Sequence, residues 1–282
     1  MSPRAWAWAR NVGGLLILGL LVWQLGSGPF LDGLREVDGR ALAVATVVAA
    51  GTTICCAWRW SVVVRGLGVG LSMRTAVAAY YRSQFLNTTL PGGVLGDVHR
   101  AVQHGREAGD LPRGARAVVW DRVSGQGVQV VLTVLVLLAL PSPVRSSVPV
   151  LGALAVAGLL IVVVCGRALP RTTWPVVVVA SSLAVLGHVV TFLVAARTAG
   201  STTPLVELVP LALLVLVAMS IPANVAGWGP REGMAAWAFA AAGLGAAQGV
   251  ATAVVYGAMV LVASLPGAAV LLLGMRRRPS HA

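Results

Sequence analysis

Lysine is absent from this chain: all 21 basic positions among its 282 residues are arginine. Charge of either sign is scarce, at 11%, against about 25% in an ordinary soluble domain. That scarcity excludes a water-soluble globule. Cysteine is equally sparse, with Cys55, Cys56 and Cys165 inside or at the edge of apolar stretches and no C-x-x-C pair or histidine cluster beside them. A disulfide framework and a zinc site are therefore excluded, and no metal or other cofactor is expected. Also missing are H-E-x-x-H, a P-loop, G-x-S-x-G and the kinase motifs, so no enzyme activity is expected.

What is present is hydrophobic: 57% apolar residues and a mean hydropathy of +0.86. The composition is that of an all-α, polytopic helical membrane protein. A net charge of +12 would point to nucleic acid in a soluble chain. Here the arginines sit in short segments between apolar runs, which is a topology signal and speaks against a nucleic-acid partner. Arg4 and Arg10 precede the first run without an A-x-A cleavage site, and Trp6, Trp8 and Trp23 suit an interface, so a retained first helix is expected.

A span needs about 20 mostly apolar residues. Six segments qualify, at roughly 11–28, 41–58, 117–140, 148–166, 176–196 and 247–274. Two more apolar segments run into one repeated pattern, P-x-x-V-x-G-x-x-x-R. It is written first from Pro91 to Arg100 and again from Pro222 to Arg231. Arg4 and Arg10 place the N-terminus in the cytoplasm, and Arg59, Arg65 and Arg74 bring the chain back there, as do Arg106, Arg113 and Arg116. Both ends of segment 75–108 then lie on one side, which predicts a re-entrant hairpin. A second hairpin over 205–243, entering from the opposite side, leaves Arg276 to Arg278 cytoplasmic. The expected architecture is one integral membrane domain, 1–282, with about six full spans, two oppositely oriented re-entrant hairpins forming an inverted repeat, and both termini in the cytoplasm. Four arginines remain at membrane depth: Arg82, Arg100, Arg122 and Arg231.

Broken helices at membrane depth are tolerated only where protein or a wet cavity satisfies the freed backbone groups, and paired breaks of this kind point to a transport site. Pro91, Gly92 and Gly93 break the first hairpin, and Pro222, Ala223 and Asn224 the second; Gly96, Gly227 and Gly229 lie in the same tips and are counted among the candidate site residues. Asp97 is read as an N-cap and Pro230 as a first-turn residue, so both tips offer helix N-termini to an anion. Arg100 and Arg231 follow within a turn and can fork onto a phosphate. They can equally pair with Asp97 and with Glu232 or Asp121. The pair Asp121-Arg122 is read either as part of the site or as an interfacial arginine with a capping acid. Tyr80, Tyr81, Arg82, Ser83, Gln84 and Asn87 make a polar stripe on the first hairpin, either a wet wall or a packing surface for Asp121. His99 could titrate near neutral pH; His188 reads as a hydrogen-bonded core histidine.

At Leu90-Pro91-Gly92-Gly93 with Gly96-Asp97 and Arg100, at Asp121-Arg122 with Gly125, and at Pro222 to Glu232, the chain resembles the lysylphosphatidylglycerol synthase transmembrane-region family. The resemblance implies a flippase-like bacterial plasma-membrane protein that moves lipids such as aminoacylated phosphatidylglycerol. Full synthases of that family add a soluble aminoacyl-transferase domain, which has no counterpart in residues 1–282. Membrane lipids, anionic or aminoacylated, are thus the expected partners, with phosphate at Arg100 or Arg231 and any amine near Asp97, Asp121 or Glu232. The residues leave oligomeric state open. They also leave open a membrane enzyme or accessory subunit acting on a lipid-linked sugar, and a small-solute or ion transporter.

Overall fold

The computed structural model describes residues 3–91, 93–140, 142, 148–221 and 228–276. Among them every regular element is helical and no strand occurs. Helix α1 (Pro3–Leu25) leads into α2 (Gly28–Arg35) across a bend of 96°. Helix α3 (Gly39–Gly66) starts at Asp38, whose carboxylate accepts from Ala41 N at 2.6 Å. The polar helix α4 (Met73–Thr89) starts from Ser72 in the same way, and the short α5 (Leu95–Glu107) follows. Asp110 caps α6 (Leu111–Ala139), with Pro112 in its first turn where no amide hydrogen is missed. Helix α7 (Val148–Ala168), one 3-10 turn (Arg171–Thr173) and α8 (Trp174–Thr198) come next. The chain ends with α9 (Leu205–Ala218), α10 (Pro230–Ala241), α11 (Ala246–Ser264) and α12 (Pro266–Arg276).

Among the described residues four helical stretches are long and apolar enough to cross a bilayer: 39–66, 111–139, 171–198 and 246–273, each of 28 or 29 residues. At 1.5 Å per residue they reach about 42 Å, beyond the ~30 Å hydrocarbon layer. A fifth is obtained if the bent α1–α2 pair counts as one span. Expected segment 148–166 is helical, but its described apolar part, Gly152–Ala168, falls in the shorter class. Large apolar side chains stand exposed on the outer helices, including Leu16 on α1, Val47 on α3, Leu159 on α7 and Leu186 on α8. In water such a surface would be a liability; facing lipid it costs nothing.

The two broken segments occupy the middle. Helix α9 buries Leu208 and every residue from Leu211 to Leu216, packed with Phe192 of α8, Phe239 of α10 and Tyr256 and Met259 of α11. Helix α4 lies between α3, α5 and α12. Gly267 of α12 is what allows that last approach, since a Cβ there would sit 2.1 Å from the carbonyl oxygen of Tyr81. Both segments therefore lean on the long helices that enclose them.

Candidate functional site

The first hairpin is built by residues that let its arms touch. Leu90 leaves α4 in an extended conformation, Gly93 takes a positive φ of 61°, and α5 begins after Val94. Gly96 meets α4 so closely that a Cβ would stand 2.0 Å from Ser83 O. Asn87 spans the gap: its Oδ1 accepts from Gly96 N at 2.7 Å and its Nδ2 donates to Asp97 Oδ2 at 2.8 Å. Asp97 is thus not the N-cap that the sequence suggested. The helix starts two residues before it, and Asn87 from the opposite arm satisfies the first-turn amide. The Asp97 carboxylate is free to collect Ser83 Oγ at 3.2 Å, Arg100 Nη2 at 3.0 Å and Arg122 Nη2 at 2.5 Å.

Behind it lies a second carboxylate, Asp121 on α6, which is fully buried. Arg100 Nη1 donates to its Oδ2 at 3.0 Å, Tyr80 OH donates to the same oxygen, and Arg59 Nε donates to Oδ1 at 2.9 Å. The Arg100 guanidinium is held between the rings of Trp60 and Tyr80, 4.6 and 4.1 Å from their centroids. Arg59 was expected in a cytoplasmic loop. Instead it is buried within α3, reaching Ser181 Oγ at 3.0 Å as well as Asp121. The apolar run 41–58 ends at Arg59 because the charge itself breaks the run, while the helix continues to Gly66. A hint existed in Gly125, one turn past Asp121, where a Cβ would lie 2.2 Å from Arg59 Nη1.

Three arginines, Arg59, Arg100 and Arg122, thus meet two carboxylates, leaving one positive charge over. Burying ion pairs seldom stabilises a fold relative to apolar residues of similar size, and ionisable groups at membrane depth mark function by default. Arg122 is the accessible member, with 38% of its side chain exposed. It borders a cavity of about 250 Å³ together with Gln84, Asn87, Asp97, Arg100, Gln126, Gln129 and Ser181. From the other side come His188, Ser220 and Tyr256, the first joined to the last by a 3.1 Å Nδ1–OH hydrogen bond. His188 is thus a hydrogen-bonded histidine and also part of the wall. Gln126, Gln129, Ser181 and Tyr256 are wall residues that the sequence reading did not single out. Two amides three apart, Gln126 and Gln129, a turn beyond Asp121-Arg122 on α6, were the available signal. Of the stripe on α4, Tyr80, Ser83, Gln84 and Asn87 border this cavity, while the backbone carbonyl of Tyr81 is what meets Gly267 of α12.

The second hairpin closes on its own pair. Gly229, at φ 119°, precedes Pro230, the first residue of α10 as expected. Glu232 is fully buried and accepts from Gly229 N at 2.7 Å through Oε2 and from Arg231 Nε at 2.8 Å through Oε1. Arg231 also lies over Trp228, 5.1 Å from its ring centroid, and against Gly257, where a Cβ would be 2.2 Å from Nη2. It pairs with Glu232, not with Asp121.

A smaller cavity of about 140 Å³ is bordered by Thr88 and Gly93 of the first segment and by Ile221, Pro230 and Arg231 of the second. Asn87 and Met219 border both cavities. The two breaks therefore converge. Arg100 and Arg231 do not share one chamber, however; they border two adjoining ones. Pro91 and His99 are exposed and line neither. Gly92, Pro222, Ala223, Asn224 and Gly227 lie outside the described residues. Among the described residues no group of three or more His, Cys, Asp and Glu side chains is arranged to hold a metal.

Comparison with curated proteins returns no match. The family model of the lysylphosphatidylglycerol synthase TM region matches residues 8–175. That stretch runs from α1 to the start of α8 and carries Arg59, Asp97, Arg100, Asp121 and Arg122. This all-helical membrane protein belongs to the lysylphosphatidylglycerol synthase TM-region family.

Proposed function

We propose that the chain is a flippase-like protein that carries a phospholipid headgroup across a bacterial plasma membrane, with both termini cytoplasmic. One observation carries the reading: a polar cavity with a surplus positive charge is enclosed by membrane-length helices and adjoins a second cavity where the two broken segments meet. Helices α5, α9 and α10 have 13, 14 and 12 residues. At 1.5 Å per residue each covers about 20 Å, too little to cross alone, which supports two re-entrant hairpins. A headgroup phosphate sits at Arg122 in the larger cavity and passes Asn87 and Met219 toward Arg231. Arg100, held by Asp97 and Asp121 through its two terminal nitrogens, shapes the wall. Rocking of one hairpin unit against the other exposes the site to either side.

The test is translocation of acyl-labelled phospholipid in proteoliposomes. Wild type should scramble or flip the label, and Arg122→Gln, which changes a half-exposed group, should slow it at least tenfold. Equal rates in the two proteins sink the assignment.

A further inference from the structure

We infer that anion binding in the larger cavity is linked to protonation of His188, so that one proton travels with each anionic headgroup. The inference rests on the headgroup-carrying reading and supplies its driving force.

Between Arg171 and Arg197, the stretch that forms most of α8, His188 is the only ionisable residue. An ionisable side chain at that depth is costly and marks an ion path or a proton relay. The surroundings of His188 let it hold either charge state. Its side chain is half-buried and borders the larger cavity, and its Nδ1 lies 3.1 Å from the hydroxyl of Tyr256. A tyrosine hydroxyl donates to a bare ring nitrogen and accepts from a protonated one. The pair therefore survives the gain or loss of a proton.

Charge decides when the proton binds. Helix α8 packs against α3, α6, α9 and α11. The titratable and charged groups around the cavity are Cys56 and Arg59 of α3, Tyr80, Asp97 and Arg100 of the first hairpin, Arg122 of α6 and Tyr256 of α11, with Asp121 buried behind them. Helix α9 adds Leu216 and Met219, its Glu207 being exposed in the first turn. Three arginines against two carboxylates leave this set with one positive charge. Without an anion, a proton on His188 would add a second. An anion at Arg122 cancels the first, and inside a cavity of about 250 Å³ salt does little to screen one charge from another. The anion thus favours the proton, and by linkage the proton favours the anion by the same factor.

The same histidine reaches the second chamber. The Tyr256 ring lies 5.9 Å from the Arg231 guanidinium, and Gly257, the next residue on α11, leaves the space in which that guanidinium sits. A proton at His188 acts on an anion at Arg122 across the cavity and on one at Arg231 through Tyr256. It binds the imidazole on the side where the cavity opens and leaves it on the other, with no other bond made or broken. One proton and one phosphodiester sum to zero charge, so the two cross together without work against the membrane potential.

The experiment measures binding of dioctanoyl phosphatidylglycerol, a diester whose charge is constant near neutrality, to the purified full chain in detergent. The two conditions are about pH 5.5 and about pH 8, on either side of the ordinary imidazole midpoint near 6.5. Wild type should bind about fivefold or more tightly at the lower pH. His188→Gln, which keeps a hydrogen-bonding group beside Tyr256, should bind equally at both. Calorimetry of the wild type at about pH 7 in two buffers of different ionisation enthalpy needs no variant; it should count a sizeable fraction of one proton taken up on binding. In proteoliposomes a pH gradient should drive acyl-labelled phosphatidylglycerol from the acidic leaflet to the alkaline one in wild type and not in His188→Gln. A pH dependence that survives in His188→Gln, as one arising at His99 or His104 on α5 would, overturns the inference and leaves the flippase reading standing. So does binding without proton uptake, or lipid movement indifferent to the gradient. Proton-linked binding with no lipid movement supports the linkage and overturns the flippase reading. Free glycerophosphoglycerol, the same diester without acyl chains, binding as tightly with the same proton uptake supports the linkage and assigns the cavity to a free solute.

Discussion

Asp121→Asn removes one charge and almost no volume, so its cost reports the electrostatics of the cluster alone. In the wild type this carboxylate is fully buried and neutralises Arg59 and Arg100 while accepting from Tyr80. The amide that replaces one oxygen would point donors at donors. Arg100 keeps Asp97 at 3.0 Å. Arg59 keeps only hydroxyl contacts, with Ser181 at 3.0 Å and Tyr80 at 3.4 Å. Removing one partner of a buried pair typically costs about 3–5 kcal/mol, because an uncompensated charge stays behind. At roughly 2–4 °C per kcal/mol for a chain of a few hundred residues, the melting midpoint should drop by about 6–20 °C. Thermal unfolding in detergent, followed by tryptophan fluorescence, measures it. Arg59→Met/Asp121→Asn should then be less damaged than the sum of the single changes, with a coupling of about 0.5–3 kcal/mol. A drop of under about 2 °C for Asp121→Asn, or strict additivity, would refute the claim that Asp121 is the hub of the cluster.

Two glycine substitutions test the close approaches. Gly96→Ala drives a Cβ to 2.0 Å from a backbone oxygen that cannot step aside and should destabilise by about 1–3 kcal/mol or more. The same change at Gly51, inside α3 with nothing within 4 Å, should stabilise by about 0.5–1 kcal/mol; a melt in which the two variants shift alike would contradict the hairpin packing. Gly257→Ala puts a methyl 2.2 Å from the Arg231 guanidinium and should cost about 1–3 kcal/mol by pushing it off Glu232. An unchanged melting midpoint would show that Arg231 is not seated there.

How much was legible follows from which interactions are local. Hydropathy and scarce charge are properties of neighbouring residues, so the sequence by itself determined the membrane class, the long apolar helices, the interruption near Pro91 and the start of α10 at Pro230. The pairing of Arg231 with Glu232 was one of two that the sequence offered, Asp121 being the other, and the structure chooses the adjacent residue. Helix boundaries were less legible: α5 begins at Leu95 because Asn87 on the facing arm takes the Gly96 amide, an event nine residues away in sequence that no N-cap rule describes. The heart of the site depended on tertiary structure altogether. Arg59 finds Asp121 at a separation of 62 residues and Ser181 at 122. A lone arginine at the end of an apolar run looks the same whether it reaches for headgroups or turns inward. Packing of α3 against α6 and α8, with Gly125 leaving the space, decides that it turns inward, since a buried guanidinium persists only where a carboxylate already waits for it.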